Sequence, residues 1–152
     1  YMTFMGMIAG GGRAASPYLV SRVVFEEEVT YEAQTRMTDR VMDEQIAQTL
    51  KEYMRNNVET VYGTDRFPDL KVCAKTGTAQ TGVNNHSDHG AFVCYAPADD
   101  PQIIMLLTLD TPARDTGTYV SGGNMVAPTS SQVMADILPY LGVERKDIEP
   151  AS

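Results

Sequence analysis

The spacing of apolar residues predicts a helix and then a strand pair in the first part of the chain. From Tyr1 to Ala9 the apolar positions recur at helical spacing. Gly10-Gly11-Gly12 predicts the end of this helix, because glycine accepts the left-handed conformation that closes helices. Leu19–Phe25 and Val29–Ala33 then read as two strands around an acidic turn of three glutamates, which we expect to be solvated.

The next segment predicts the best-defined helix of the sequence. Thr38 or Asp39 is a suitable N-cap, and the negative charges of Asp43 and Glu44 suit the positive end of a helix. One apolar stripe runs along this helix and consists of Met42, Ile46, Leu50, Tyr53, Met54 and Val58. The stripe predicts the buried face of the helix.

The second half of the chain predicts three short strands and a closing helix. A strand is expected at Leu70–Ala74, and two more flank a turn at Asp99-Asp100-Pro101. A long glycine-rich loop follows, and Pro128 suits the first turn of the last helix, which Pro139 kinks or ends. The predicted buried face of that helix is Val133, Met134, Ile137, Leu138 and Leu141. The order predicts an α+β fold, an antiparallel sheet covered by helices on both sides.

Charge and length narrow the possible functions. The 152 residues suffice for one domain, and the net charge is -8 with 12 basic and 20 acidic residues. Nucleic acid is an unfavourable partner, because binding phosphates requires a basic face. No apolar run approaches the roughly 20 residues needed to cross a bilayer. No basic leader and no initiator methionine are visible, so we expect the chain to be part of a longer protein.

The run Lys75-Thr76-Gly77-Thr78 carries the clearest chemistry. Lys75 supplies a positive charge, and Thr76 and Thr78 supply hydroxyls. Gly77 lets another backbone come close, and a strand margin can take an extended peptide as an added strand. Together these groups would bind a peptide that ends in a carboxylate and stabilise an oxyanion near it. Three such residues also recur by chance in turns.

The surrounding sequence resembles the C-terminal part of the transpeptidase domain of class B penicillin-binding proteins. "KTGTAQ", a polar loop and "HGAFVCYAPADDP" carry the resemblance most specifically, since K-T-G belongs to the motif set of that superfamily. "IAGGGRAASPYLV", "YMRNNVE" and "GGNMVAPTSSQVMADILPYLGV" extend it over nearly the whole chain. The resemblance implies a serine D,D-transpeptidase that crosslinks peptidoglycan stem peptides and is acylated by β-lactams.

The resemblance also implies roles for individual residues. Lys75 and Thr78 would be catalytic, Lys75 through its charge and Thr78 through its backbone N–H in the oxyanion hole. The Thr76 and Thr78 hydroxyls would face the terminal carboxylate, and Gly77 would give clearance. The peptide-binding margin would consist of Thr76, Gly77, Thr78, Ala79 and Gln80. No cofactor is implied.

The nucleophile of such a site is not recognisable in the sequence. The serines are Ser16, Ser21, Ser87, Ser121, Ser130, Ser131 and Ser152, and none has lysine three residues later or asparagine two residues later. The nearest match to S-x-N is Ser121-Gly122-Gly123-Asn124, which is one residue too long. A serine nucleophile needs an adjacent base. The resemblance therefore implies that residues 1–152 are the C-terminal portion of one domain, whose N-terminal portion carries S-x-x-K and S-x-N.

These implications define the expected partners and location. Partners would be the stem peptide, β-lactams and the N-terminal half of the same domain, and the isolated chain would self-associate to cover its exposed apolar surface. The site would lie at the extracytoplasmic face of the bacterial membrane. A β-lactamase or D,D-carboxypeptidase of the same superfamily, or a non-catalytic β-lactam sensor or binding module, are the alternatives.

Two other groups of residues could in principle form a metal site or a disulfide, and each also has a purely structural interpretation. His86, Asp88 and His89 could contribute to a metal site, but zinc usually takes three or four ligands, so loop polarity is the favoured interpretation and no metal is expected. Cys73 and Cys94 lie on strands that we expect to pair about a turn at Val83-Asn84. Cysteines facing each other across strands seldom meet disulfide geometry, so free, buried thiols are expected.

Overall fold

The computed structural model describes residues 1–63, 67, 70–80, 87–112, 117 and 119–143. Within these ranges there are three α-helices and five strands. The helices are α1 (Met2–Ala9), α2 (Glu44–Tyr62) and α3 (Ala127–Tyr140), and a π-helical segment, Gly122–Val126, leads directly into α3. The strands are β1 (Arg22–Phe25), β2 (Glu28–Glu32), β3 (Cys73–Gln80), β4 (Ser87–Ala96) and β5 (Ile103–Asp110).

The first two strands form the predicted antiparallel pair. Arg22 lies opposite Glu32, and Phe25 lies opposite Glu28. Glu26 and Glu27 make the turn with positive φ angles of 46° and 69°, and both side chains are exposed as expected. The strands are shorter than predicted, because pairing is limited to the residues next to this tight turn.

The remaining strands form one antiparallel sheet in the order β3-β4-β5. Lys75 pairs with Val93, which pairs with Leu106 on the other side. The strand predicted at Leu70–Ala74 has the wrong bounds, because β3 begins at Cys73 and continues through the whole lysine motif to Gln80. Hydrogen bonding to β4 continues to the end of β3, and this pairing extends the strand through a polar sequence of weak intrinsic strand preference.

Helices pack on both faces of the sheet, which confirms the predicted α+β arrangement. On one face, the buried side chains come from the sheet, the π-helix and α3; they include Ala74, Phe92, Cys94, Val126, Met134 and Leu138. On the other face, α1 and α2 contribute Met5 and Met54 to a cluster with Cys73, Val93 and Tyr95. Leu106 remains 36% exposed, so the second face is not covered along the whole of β5.

The N-cap of α2 differs from the prediction. Asp43 is the capping residue, and its Oδ1 accepts a hydrogen bond from the backbone N–H of Gln45 at 2.8 Å. Thr38, one of the two predicted caps, instead accepts a hydrogen bond on its hydroxyl from the N–H of Ala14 at 3.0 Å. The cap therefore lies four to five residues after the predicted ones, and the helix begins at Glu44.

The buried face of α2 is also rotated from the predicted stripe. Ala47 and Val58 are the buried residues of the helix, whereas Ile46 is 55% and Tyr53 is 66% exposed. Met42 precedes the helix. The helix contacts both α1 and β3, and the small side chain of Ala47 permits close packing that the apolar pattern did not reveal.

The closing helix α3 largely follows its prediction. Pro128 occupies its first turn, and Met134 and Leu138 are fully buried. The helix ends one residue after Pro139, so Leu141 lies outside it and is 48% exposed. Within the described ranges, no helix combines the length and apolar character that crossing a bilayer requires.

Candidate active site

The lysine motif occupies a strand at the margin of the sheet. β3 pairs with β4 on one side, and the described residues provide no strand on its other side. Side chains alternate along a strand, so Lys75 shares a face with Val93, and Thr76 shares the opposite face with Phe92. The motif therefore presents its charge and its hydroxyls on opposite sides of one edge.

Lys75 is exposed at this edge. Its Nζ donates a hydrogen bond to the carbonyl oxygen of Thr76 at 2.7 Å. Among the described residues it forms no ion pair with a carboxylate. The positive charge is therefore available to an anionic or polar group that approaches the edge of β3.

Helix α2 runs beside the first half of this edge. Between α2 and β3 lies a cavity of about 490 Å³, lined by Tyr53, Met54, Asn57, Val61, Tyr62, Ala74, Lys75 and Thr76. The helix thus lies beside the part of the edge that holds the exposed Lys75 and the half-buried Thr76. Thr78 and the residues that follow it on β3 are exposed and do not line this cavity. A ligand can reach the strand edge most directly along its second half.

Thr78 is held by a residue distant in sequence. The backbone N–H of Gly122 donates a hydrogen bond to the Thr78 Oγ1 at 3.2 Å. A β-carbon at position 122 would lie 2.2 Å from the carbonyl oxygen of Ala91 and 2.5 Å from that of Gly77. Real β-carbons are never so close to backbone atoms, so this approach to the sheet requires glycine.

The segment that contains Gly122 is fixed by local hydrogen bonds. The Ser121 Oγ accepts a hydrogen bond from the N–H of Asn124 at 3.0 Å, and the Asn124 side-chain amide donates to the carbonyl oxygen of Tyr119 at 3.4 Å. Sequence reasoning placed these residues in a loop and missed both the π-helix and its contact with Thr78. The one available signal was a pair of glycines shortly before a helix.

The last two residues of the predicted peptide-binding margin end β3. Ala79 lies opposite His89, and Gln80 lies opposite Ser87 across a register shift in the pairing. Both Ala79 and Gln80 are exposed. All the predicted site residues from Lys75 to Gln80 are therefore contiguous on one strand, and most of them are accessible.

His89, one residue of the predicted metal group, lies on β4 opposite Ala79. His89 Nδ1 lies 2.8 Å from a carboxylate oxygen of Asp110. His86 and the side chain of Asp88 lie outside the described residues, as does the predicted turn at Val83-Asn84. Within the described part of the chain, no group of three or more histidine, cysteine, aspartate or glutamate side chains is arranged to hold a metal ion.

The two cysteines are free and buried, which confirms the prediction. The Cys73 thiol donates a hydrogen bond to the carbonyl oxygen of Lys51 at 3.4 Å. Burial raises the pKa of Cys73 and raises the pKa of Cys94 to about 12. Thiols that hold their protons so tightly are poor nucleophiles, so neither cysteine is a candidate for covalent catalysis.

Comparison with known proteins finds a family and relatives that match most of the chain. The family described as penicillin binding protein transpeptidase domain matches residues 1–135. Stage V sporulation protein D of Bacillus subtilis is 31% identical over 88% of this chain and 21% of its own length. A probable peptidoglycan D,D-transpeptidase, PbpC, of Pseudomonas aeruginosa is 34% identical over 72% of this chain and 20% of its own length.

Solved structures also resemble this chain. Penicillin-binding protein A from Mycobacterium tuberculosis, in its penicillin G acyl-enzyme complex, has a TM-score of 0.69 and 25% identity. That alignment covers 86% of this chain and 29% of the solved one. The chain thus spans about a fifth of the length of the two relatives named above. On the match to residues 1–135, the chain belongs to the penicillin-binding protein transpeptidase domain family.

Proposed function

We propose that this chain is the C-terminal portion of a D,D-transpeptidase domain. Its K-T-G-T residues, Lys75 to Thr78, form one side of the active site. The observation that carries the proposal is the accessible edge of β3, which presents Lys75 and Thr78 in a chain of this family. The longer protein that contains the chain is called the parent protein below. Its substrates are the stem peptides of peptidoglycan, and it works at the extracytoplasmic face of the membrane.

The reaction requires a nucleophile that the N-terminal portion of the domain would contribute. A serine oxygen attacks the carbonyl of the penultimate D-alanine, and the terminal D-alanine leaves as an amine. An amine of a second stem peptide then attacks the resulting ester, which forms the crosslink and releases the serine hydroxyl. A β-lactam acylates the same serine when its ring amide opens, and the ring nitrogen takes the proton.

The K-T-G-T residues support this chemistry with charge and hydrogen bonds. Lys75 raises the positive potential and donates a hydrogen bond to the serine of S-x-N. The backbone N–H of Thr78 stabilises the oxyanion of the tetrahedral intermediate. The hydroxyls of Thr76 and Thr78 bind the terminal carboxylate, while Gly77 leaves room for the substrate backbone.

The second half of β3 binds the extended part of the substrate. Ala79 and Gln80 are exposed at the strand margin, where a peptide can add alongside as a further strand. Hydrogen bonds to the backbone then give affinity with little dependence on side chains. This arrangement suits one enzyme that accepts both stem peptides and the compact β-lactams.

Exposed apolar side chains suggest the remaining partners. The hairpin of β1 and β2 exposes Val23, Val24, Phe25, Val29 and Tyr31, each by 44% or more. Apolar surface of this kind favours contact with the N-terminal half of the domain or with a second copy of the chain.

The proposal is tested by incubating the parent protein with a fluorescent penicillin. We expect a stoichiometric covalent adduct that persists after denaturation and decays slowly. Rapid turnover of the adduct would instead favour a β-lactamase. Absence of any adduct in a folded parent protein would contradict the proposed function and favour a non-catalytic module.

A further inference from the structure

Thr78 forms a hydrogen bond that restricts its hydroxyl group. The N–H of Gly122 donates to Oγ1 at 3.2 Å, so one lone pair of the hydroxyl oxygen is occupied. A threonine hydroxyl has two acceptor lone pairs and one O–H donor. The O–H of Thr78 therefore cannot be donated to the Gly122 N–H, and because Thr78 is exposed an acceptor from outside the protein can reach this hydroxyl.

The donor of this hydrogen bond is held rigidly. Gly122 lies over the carbonyl oxygens of Gly77 and Ala91 so closely that no side chain fits between them. Gly90 on the same face of the sheet contacts the same segment, since a β-carbon there would lie 3.0 Å from Val126. Gly90 of the sheet and Gly122 of the π-helix thus allow this close packing, and the packing fixes where the Gly122 N–H points.

We propose that Gly122 is a positioning residue that orients the Thr78 hydroxyl as a donor to the carboxylate of the substrate or of a β-lactam. This inference rests on the proposed function of the K-T-G-T edge. Its physical basis is that a hydroxyl whose oxygen already accepts a hydrogen bond keeps its proton for another partner. The preorganised donor then binds an anion with little loss of rotational freedom.

Two β-lactams that differ in charge distinguish a specific effect on carboxylate binding from a general loss of protein stability. Benzylpenicillin carries a carboxylate, and benzylpenicillin methyl ester does not. The ratio of their acylation rate constants for the parent protein measures the preference for the carboxylate. Because a hydrogen bond to a charged group is worth more than a neutral one, we expect Gly122→Ala to lower this ratio about tenfold or more.

The matched control is Gly123→Ala in the same segment. A β-carbon there would meet the Tyr62 hydroxyl at 2.9 Å, and that is the far end of a side chain able to rotate away. We expect the ratio to stay unchanged in this variant. We also expect Thr78→Ser to retain the ratio and Thr78→Val to lose it, with no further loss when Gly122→Ala is added to Thr78→Val.

A second measurement covers the case in which Gly122→Ala does not fold. Hydrogen exchange of the parent protein, followed on peptides that span residues 121–126, reports the protection of the Gly122 N–H. We expect faster exchange in Thr78→Val than in Thr78→Ser, because only serine keeps the acceptor. Equal exchange in the two variants, or an unchanged ratio in folded Gly122→Ala, would overturn the inference.

Failure of the proposed function gives a different result. In that case neither β-lactam would acylate the wild-type parent protein, whereas the exchange of Gly122 would still depend on the residue at position 78.

Discussion

Cys73 and Cys94 lie on neighbouring strands but project from opposite faces of the sheet. Cys73 is opposite Tyr95, and Cys94 is opposite Ala74, so the two cysteines are offset by one residue. Since successive side chains alternate between faces, one thiol packs towards α1 and the other towards α3. Their β-carbons cannot come together as a disulfide requires, and both remain free thiols.

Thiol-specific labelling should therefore be slow in the folded protein. With a pKa of about 12, Cys94 is a thiolate in about one molecule in ten thousand at pH 8. We expect iodoacetamide to label neither cysteine at pH 8 within the time that labels both in guanidinium chloride. Mass spectrometry of the digested protein gives the extent at each position, and rapid labelling of Cys94 in the native state would refute the burial.

The same thiol should make stability depend on alkaline pH. Its folded pKa of about 12 lies above the ordinary value of 9.0, so its contribution to stability is fully present below pH 9 and is lost as pH rises through 12. We expect the free energy of unfolding to fall by about 1.4 kcal/mol per pH unit from this group. Denaturant titrations at several pH values measure it, and Cys94→Ala should lack this part of the slope.

The cap of α2 gives a test of local structure. Asp43→Ala removes the acceptor for the N–H of Gln45, and we expect it to destabilise the protein by about 1 kcal/mol. Asp43→Asn retains an acceptor and should cost less. Asp39→Ala is the matched control, because Asp39 is exposed and precedes the helix. Thermal unfolding of the three variants decides between the observed and the predicted cap. An equal fall in melting temperature for Asp39→Ala and Asp43→Ala would contradict Asp43 as the cap.

The sequence predicted those parts of the fold that depend on neighbouring residues. Strand-forming runs and turn residues located the β1–β2 and β4–β5 pairs. Helical spacing located all three described α-helices. The start of α2 was misplaced because several residues before it are possible caps, and only tertiary contacts select among them. Thr38 is engaged with Ala14, for example, which leaves the capping position to Asp43.

The candidate site was predictable only where its residues are contiguous. Lys75 to Gln80 follow one another, so their types and order alone indicated a carboxylate-binding edge. The contribution of Gly122 depends on a contact across 44 positions of sequence, which no local pattern contains. The proximity of Tyr62 and Asn57 on α2 to this edge also arises from packing.

The isolated chain should be inactive towards β-lactams. No serine here has the lysine partner of S-x-x-K, and the described hydroxyls of Ser121 and Ser130 form hydrogen bonds within their own helical segments. We expect intact mass spectrometry to show no adduct after incubation with benzylpenicillin. A stoichiometric increase in mass by one penicillin would show that this segment contains a nucleophile.

The isolated chain should also self-associate or bind the rest of its domain. Phe25 is 66% exposed on the hairpin, and Leu106 is exposed on the incompletely covered face of the sheet. We expect light scattering after size-exclusion chromatography to show a dimer or a larger species. Phe25→Ser should shift the distribution towards monomer. A wild-type monomer of 16.7 kDa that binds no hydrophobic dye would contradict this expectation.

The most direct test of the account is the acylation rate of the parent protein with and without the Lys75 side chain. Removing a charge from a preorganised site typically costs a factor of about a hundred or more. Lys75 is exposed, its backbone pairs with β4, and its Nζ donates to the carbonyl oxygen of the adjacent Thr76, so Lys75→Ala should leave the melting temperature nearly unchanged. We predict that the second-order rate constant for benzylpenicillin falls about a hundredfold in this folded variant. An unchanged rate constant would contradict the account and make Lys75 an ordinary surface lysine.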